Sequence, residues 1–165
     1  ADICFLAIDP VREAEVAFTE PYVIIEGAYV VPSDSPLRTV ADVDAEGIRV
    51  AVKAGSAYDL HLTRALQRAT LVRNDEGVGS LLAHPLEAGA GIREAVTTFA
   101  DEHAGFRVVD GAFMQIRQAV GTTRTRSAES VAFLRDLVEE LKASGFVADA
   151  LERAGQRREA AAPPA

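Results

Sequence analysis

An α/β fold with a largely parallel sheet is what this chain of 165 residues predicts. Two observations carry the prediction. Short apolar runs of strand length alternate with stretches of helical spacing along nearly the whole sequence. The composition is 48% apolar, enough for a core and too apolar for a disordered chain.

The elements follow in order. Residues 2–8 hold the run Ile3-Cys4-Phe5-Leu6-Ala7-Ile8, read as a buried strand that stops at Asp9-Pro10. Asp9 is placed to cap a short helix with proline at its first position. Residues 16–18 form a second strand, and 22–31, rich in β-branched and aromatic residues, a third. Pro32-Ser33-Asp34-Ser35-Pro36 is a turn cluster, followed by one helical turn at 39–44. A compact strand at 48–52 leads through Ala54-Gly55-Ser56 into a helix over 57–69. A strand at 70–73 precedes a weak helix at 75–83, weakened by Gly77 and Gly79. A small-residue strand at 88–91, a helix at 92–103 and strands at 106–109 and 112–120 come next. Ser127 opens a strong helix through Val131, Leu134, Leu137, Val138 and Leu141, ended by Gly145. A short helix at 146–154 and a surface tail at 156–165 complete the chain.

Charge and motifs exclude several classes. Acidic residues outnumber basic ones 25 to 17, for a net charge of −8. That argues against a nucleic-acid partner, which needs a basic surface. No apolar run approaches the roughly 20 residues of a membrane-spanning helix. The single cysteine, Cys4, allows no internal disulfide and no zinc cluster, and it reads as a small core hydrophobe. His61, His84 and His103 lack metal-ligand spacing and read as surface residues. No nucleophile elbow, phosphate loop or dinucleotide fingerprint is present, so no cofactor is expected. The start at Ala1-Asp2, without methionine, is that of a processed form or a fragment.

Four segments carry a family resemblance. They are Ala1-Asp2-Ile3 with Asp9-Pro10-Val11-Arg12 and Phe18-Thr19-Glu20-Pro21-Tyr22; Ile48 through Ser56; Phe113 through Gly121; and the helix from Phe133 to Gly145. In this order they resemble the polar amino-acid type of bacterial extracellular solute-binding proteins (family 3), the receptors of ABC importers. The resemblance implies a type II periplasmic-binding-protein architecture of two lobes with mixed and parallel sheets, the first lobe lacking its opening strands, roughly the first third of a usual family member. Residues 1–29 would then be part of lobe one, 30–112 lobe two, 113–155 a crossing strand with lobe-one helices, and 156–165 a tail. A lobe without its opening strands exposes an edge and apolar faces, which would be covered by a second chain, as in a homodimer, by swapped packing, or not at all.

The resemblance also implies site residues. Arg12 would pair with a ligand carboxylate, for which a planar guanidinium offers two parallel hydrogen bonds; its alternative is an exposed helix arginine. Ser56, Ala57 and Tyr58 would seat an anion at a helix start, although Ser56 serves equally well as a plain cap. Lys53 would add charge. Ala7 stands where the family often has a hydroxyl, and Asp9 where it has threonine. Phe5, Tyr22, Tyr29 and Phe113 are aromatics near the presumed cleft, with core packing as the alternative. If Glu87 matches the family's Asp-Ala pair, the ammonium-binding position falls at Ile92, which cannot hold an ammonium, and Arg93 beside it favours an anion. Glu26 and Gln115 sit on the two crossing strands.

The implied function is non-catalytic capture, by cleft closure, of a small polar solute, a carboxylate or dicarboxylate rather than an ordinary α-amino acid. Delivery would be to an ABC permease in the periplasm or at the cell surface. Two alternatives share the scaffold: an enzyme of the cyclohexadienyl dehydratase kind, and the sensing module of a receptor.

Overall fold

Strand β4 (Arg49–Lys53) has three central residues, Val50, Ala51 and Val52, without any exposed surface. Successive side chains of a strand point to opposite faces, so this run is apolar on both sides and needs a layer on each. The computed structural model, which describes residues 2–165, supplies both layers.

The chain divides into two compact units: residues 1–25 with 116–165, and residues 26–115. The expected boundaries at 29/30 and 112/113 lie a few residues inside the second unit. Strands β3 (Val23–Pro32) and β8 (Met114–Thr123) each run from one unit into the other.

In the second unit β4 runs parallel to β5 (Thr70–Asn74), with Arg49 opposite Thr70, and parallel to β6 (Ala88–Ile92), with Val50 opposite Ala88. β3 is antiparallel to β6, pairing Gly27 with Ile92, and β7 (Phe106–Val108) is antiparallel to β3. On one face Val50, Val52, Tyr29 and Val31 pack with Leu62 of α3 (Ala57–Ala65) and Val43 of α2 (Val40–Val43). On the other, Ala51, Ala28 and Val30 meet Val96 and Phe99 of α4 (Arg93–Glu102) and Leu81 of a 3₁₀ helix, Gly77–Leu82. β6 is built of small residues because that helix lies close against it: a Cβ on Gly89 would come within 2.9 Å of Leu81.

In the first unit β1 (Cys4–Ala7) and β2 (Val16–Phe18) both pair antiparallel with β8, flanking a short helix α1 (Pro10–Glu13). Helices α5 (Ala128–Ala143) and α6 (Phe146–Arg153) follow. Phe5, Tyr22, Val120, Val138, Phe146 and Leu151 are among the residues around a wholly apolar cavity of about 280 Å³.

Several expectations are corrected. The sheet is mixed: only the β5-β4-β6 part is parallel, and β1, β2, β3 and β7 are all paired antiparallel. Helix α3 stops at Ala65 instead of 69, because the Asp44 carboxylate takes the amides of Gln67, Arg68 and Ala69 at 2.8–3.1 Å. The weak helix is 3₁₀, beginning at Gly77 with φ +61°. β1 is not buried: Phe5 is 63% exposed, and Cys4 is half-buried with its thiol donating to the Gly121 carbonyl. Residues 156–165 are a mostly exposed surface tail, but a tied one. They contain a 3₁₀ turn, Arg158–Ala160, then a bridge from Ala161 to Val23, and the Ala162 amide donates to the Tyr22 carbonyl at 2.9 Å. Lys142 is buried beneath them and donates to the Pro21 and Pro163 carbonyls. His61 and His103 are half-buried, with His61 stacked on Phe113 and His103 tilted against Phe99.

Two predictions concern stability. Glu87 receives Arg49 bidentately, at 2.9 Å from Nε and 2.8 Å from Nη2, and the side-chain hydrogen bonds from Arg49 hold its carboxyl at about 2 against an ordinary 4.5. A carboxylate depressed in the folded state contributes stability above the unfolded pKa and loses it as pH falls through the folded one. In chemical denaturation at successive pH values, the stability gap between wild type and Glu87→Gln should hold above pH ~5 and shrink toward pH ~2. Asp59→Ala should cost about 1.5–3 kcal/mol, because it leaves the hydrogen-bond partners of a buried carboxylate unmet.

Candidate functional site

The Lys53–Tyr58 segment of the second unit is held by one side chain. β4 ends at Lys53, and Gly55 turns the chain at φ +75°, a conformation that favours glycine. Ser56 caps α3: its hydroxyl donates to the Lys53 carbonyl at 2.7 Å and accepts from the Asp59 amide at 3.1 Å. Asp59, only 3% exposed, accepts the Gly55 amide at 2.9 Å on one oxygen and Arg73 Nε at 2.9 Å on the other, where Thr63 also donates. The Gly55 amide is the largest of the causes that lower its carboxyl below the usual range, with Arg73 adding to it.

The first turn of a helix leaves amides without intrahelical acceptors. Here Gly55 and Asp59 are satisfied by side chains, and the Ser56 amide by the Lys53 carbonyl. Among the described residues, the amides of Ala57 and Tyr58 have no protein acceptor. They are the donors the turn offers at the positive end of the helix dipole. The Ser56 hydroxyl is already bonded twice within the turn, so its role is the cap. Lys53 is exposed, while Tyr58 packs partly against the core with its hydroxyl beside Gly77.

Arg93, first residue of α4, is not a free cation. Its Nη2 donates to the Gly111 carbonyl at 2.6 Å and lies 3.3 Å from Glu26 Oε2. Glu26 therefore bonds Arg93 within the same unit. Glu87 serves Arg49 at the edge of β4, and Ile92 is the half-buried residue preceding α4. Tyr29 is core, tilted against Phe113 with centroids 4.6 Å apart.

In the first unit Arg12 is exposed on α1, whose start Asp9 caps by accepting the Val11 amide at 2.8 Å. Arg12 Nη1 donates to the Ala7 carbonyl at 2.9 Å, which draws the guanidinium back over the end of β1 and unites Arg12 with Ala7. Phe5 is not part of that pair. It stands edge-on to Tyr22 at 6.1 Å and lines the apolar cavity, whose walls include neither Arg12 nor Ala7.

Two contributors escaped sequence reasoning. Asp59 had a readable signal, an acidic residue three positions after the capping serine. The Arg93–Glu26 pair spans 67 positions and had none. No group of three or more potential metal ligands occurs among the described residues.

No protein-family model matches the sequence, and no curated protein matches it. Solved structures do. An ancestral cationic amino-acid solute-binding protein superposes with a TM-score of 0.67 at 18% identity, over 92% of this chain and 68% of that one. A binding component of an ABC transporter from Wolinella succinogenes, complexed with lysine, gives 0.68 at 17% identity, over 92% and 69%. An ancestral cyclohexadienyl dehydratase gives 0.52 at 17%, over 92% and 66%. At such identities the likeness is one of fold, and the chain has the mixed α/β fold of type II periplasmic binding proteins, over about two thirds of the length of these neighbours.

Proposed function

We propose that this chain is the solute-binding subunit of an ABC importer, acting outside the cytoplasm on a small, polar, carboxylate-bearing solute that it passes to a permease. The observation that carries this reading is the pinned start of α3, where Asp59 fixes the turn and two amides, of Ala57 and Tyr58, are left for an anion. The fold supports it, being that of solute-binding proteins for amino acids. Arg12 of the first unit supplies the second recognition element. A solute that contacts both units favours whichever arrangement lets it do so, by its differential affinity for that state. Arg93 and Lys53 add cationic character, tempered at Arg93 by Glu26. Ile92 offers nothing to an ammonium, which favours carboxylates and dicarboxylates over plain α-amino acids. No helix among the described residues is long and apolar enough to cross a membrane.

The reading is of a receptor, not an enzyme. The dehydratase on this fold defines the rival, and turnover of cyclohexadienyl acids would establish it. Calorimetric titration with succinate, L-lysine and L-arginine tests the solute class. Succinate should bind, and Arg12→Ala should weaken it about tenfold or more, the cost of a charge-assisted hydrogen-bond pair. Unchanged affinity would remove Arg12 from the site, and tight binding of either amino acid would overturn the carboxylate preference.

We propose in addition a homodimer through the first unit, supported by its apolar cavity and by exposed Phe5 and Phe146. Native mass spectrometry over a concentration series should show a dimer that Phe5→Glu abolishes.

A further inference from the structure

The first unit has a second concavity, and its chemistry is the opposite of the apolar one. It measures about 250 Å³ and is lined by Arg117 of β8, Arg124 just beyond that strand and Arg135 of α5, together with Glu13, Thr19 and Glu20. Arg124 Nε donates to the Glu13 carbonyl at 2.5 Å, and Arg135 Nε to the Phe18 carbonyl at 3.2 Å. Each guanidinium is thus anchored at Nε. Among the described residues, the Nη atoms of both have no protein acceptor, and the Arg117 side chain has no hydrogen bond or ion pair at all.

What sets these three apart from the other unpaired arginines is that they line one concavity together. Arg49, Arg73, Arg93, Arg126 and Arg158 each pair with a carboxylate of the protein. At the cavity two carboxylates are within reach of the same space, yet neither Glu13 nor Glu20 forms an ion pair with any of the three. Three cations against two anions leave a local excess of positive charge in a chain whose net charge is −8. Forked guanidinium donors match the oxygens of a phosphate or carboxylate, and two carbonyl anchors hold two of the forks in place in advance. The cavity lies below the roughly 300 Å³ at which pockets for drug-sized ligands begin, so its occupant is small. Neither Arg12 nor Ala7 is among its walls, although their chain neighbours Glu13 and Ile8 are.

We propose that Arg117, Arg124 and Arg135 form a binding site for a small oxyanion of the phosphate type, made of other residues than the solute site. The three arginines are solvent-exposed, so binding is of modest strength and falls with added salt.

The test is an NMR titration of the full chain with inorganic phosphate at constant ionic strength, following the arginine Nε–H signals, with chloride as the reference anion. Saturable shifts at Arg124 and Arg135 with phosphate, absent with chloride, are expected. Arg117→Ala should weaken phosphate about tenfold, and Arg117→Lys should restore part of it. Because the Arg117 side chain bonds nothing in the protein, its substitution should leave the melting temperature unchanged. This keeps the test valid if Arg135→Ala, which loses the Phe18 contact, fails to fold. Shifts that do not saturate, shifts equal with chloride, or an affinity unchanged in Arg117→Ala would each overturn the site. Phosphate shifts confined to Arg12 and the start of α3 would also overturn it, by reassigning the anion to the solute site.

Discussion

Burial on both faces is the constraint from which the second unit follows. Val50, Ala51 and Val52 expose nothing, so β4 needs α3 and α2 over one side and α4 with the 3₁₀ helix over the other. A strand buried this way is held in register by its whole environment, since a slip of one residue would exchange its two faces. That rigidity reaches the surface through Asp59. Its carboxylate ties the turn after β4 to α3 and, through Arg73, to β5. The amides at the start of α3 are therefore positioned by the core and not by the loop alone. Such preorganisation lowers the ordering cost of any anion that binds there.

How much of this was legible in the sequence depends on the distance over which each feature is determined. Local features were readable. Asp9-Pro10 starts a helix, Ser127 caps α5, and the β-branched run before Pro32 is a long strand. Features set by remote partners were not. Helix α3 ends where Asp44, more than twenty positions away, takes over the amides. Strand direction leaves no trace in a two-residue period, so the alternation of elements suggested a more parallel sheet than the one formed. The last residues look like a surface tail by composition, yet they gain backbone bonds to the start of β3 and cover Lys142.

The candidate site was legible in its residue types more than in its couplings. Arg12 and the Gly55-Ser56 turn stand on the elements expected of them. What sequence could not give is that Arg12 folds back on the Ala7 carbonyl, that the Ser56 hydroxyl is used up within its own turn, and that Arg93 already has a carboxylate. Only Arg49, Arg73, Arg93, Arg126 and Arg158 pair with a carboxylate of the protein. Being unpaired does not by itself mark a site; Arg117, Arg124 and Arg135 differ from the other unpaired arginines in lining one concavity.

The second unit is one uninterrupted stretch, residues 26–115, set between the two pieces of the first. Its ends lie side by side, with the Phe113 amide donating to the Gly27 carbonyl at 3.0 Å. Synthesis on the ribosome therefore delivers the two units at different times. The inserted stretch has all of its partners once residue 115 has emerged, whereas Cys4 must wait 117 positions for Gly121. Through that interval β1, with Phe5 exposed, lacks the β8 partner that it has in the folded unit, and apolar segments waiting for a partner are the kind that chaperones hold.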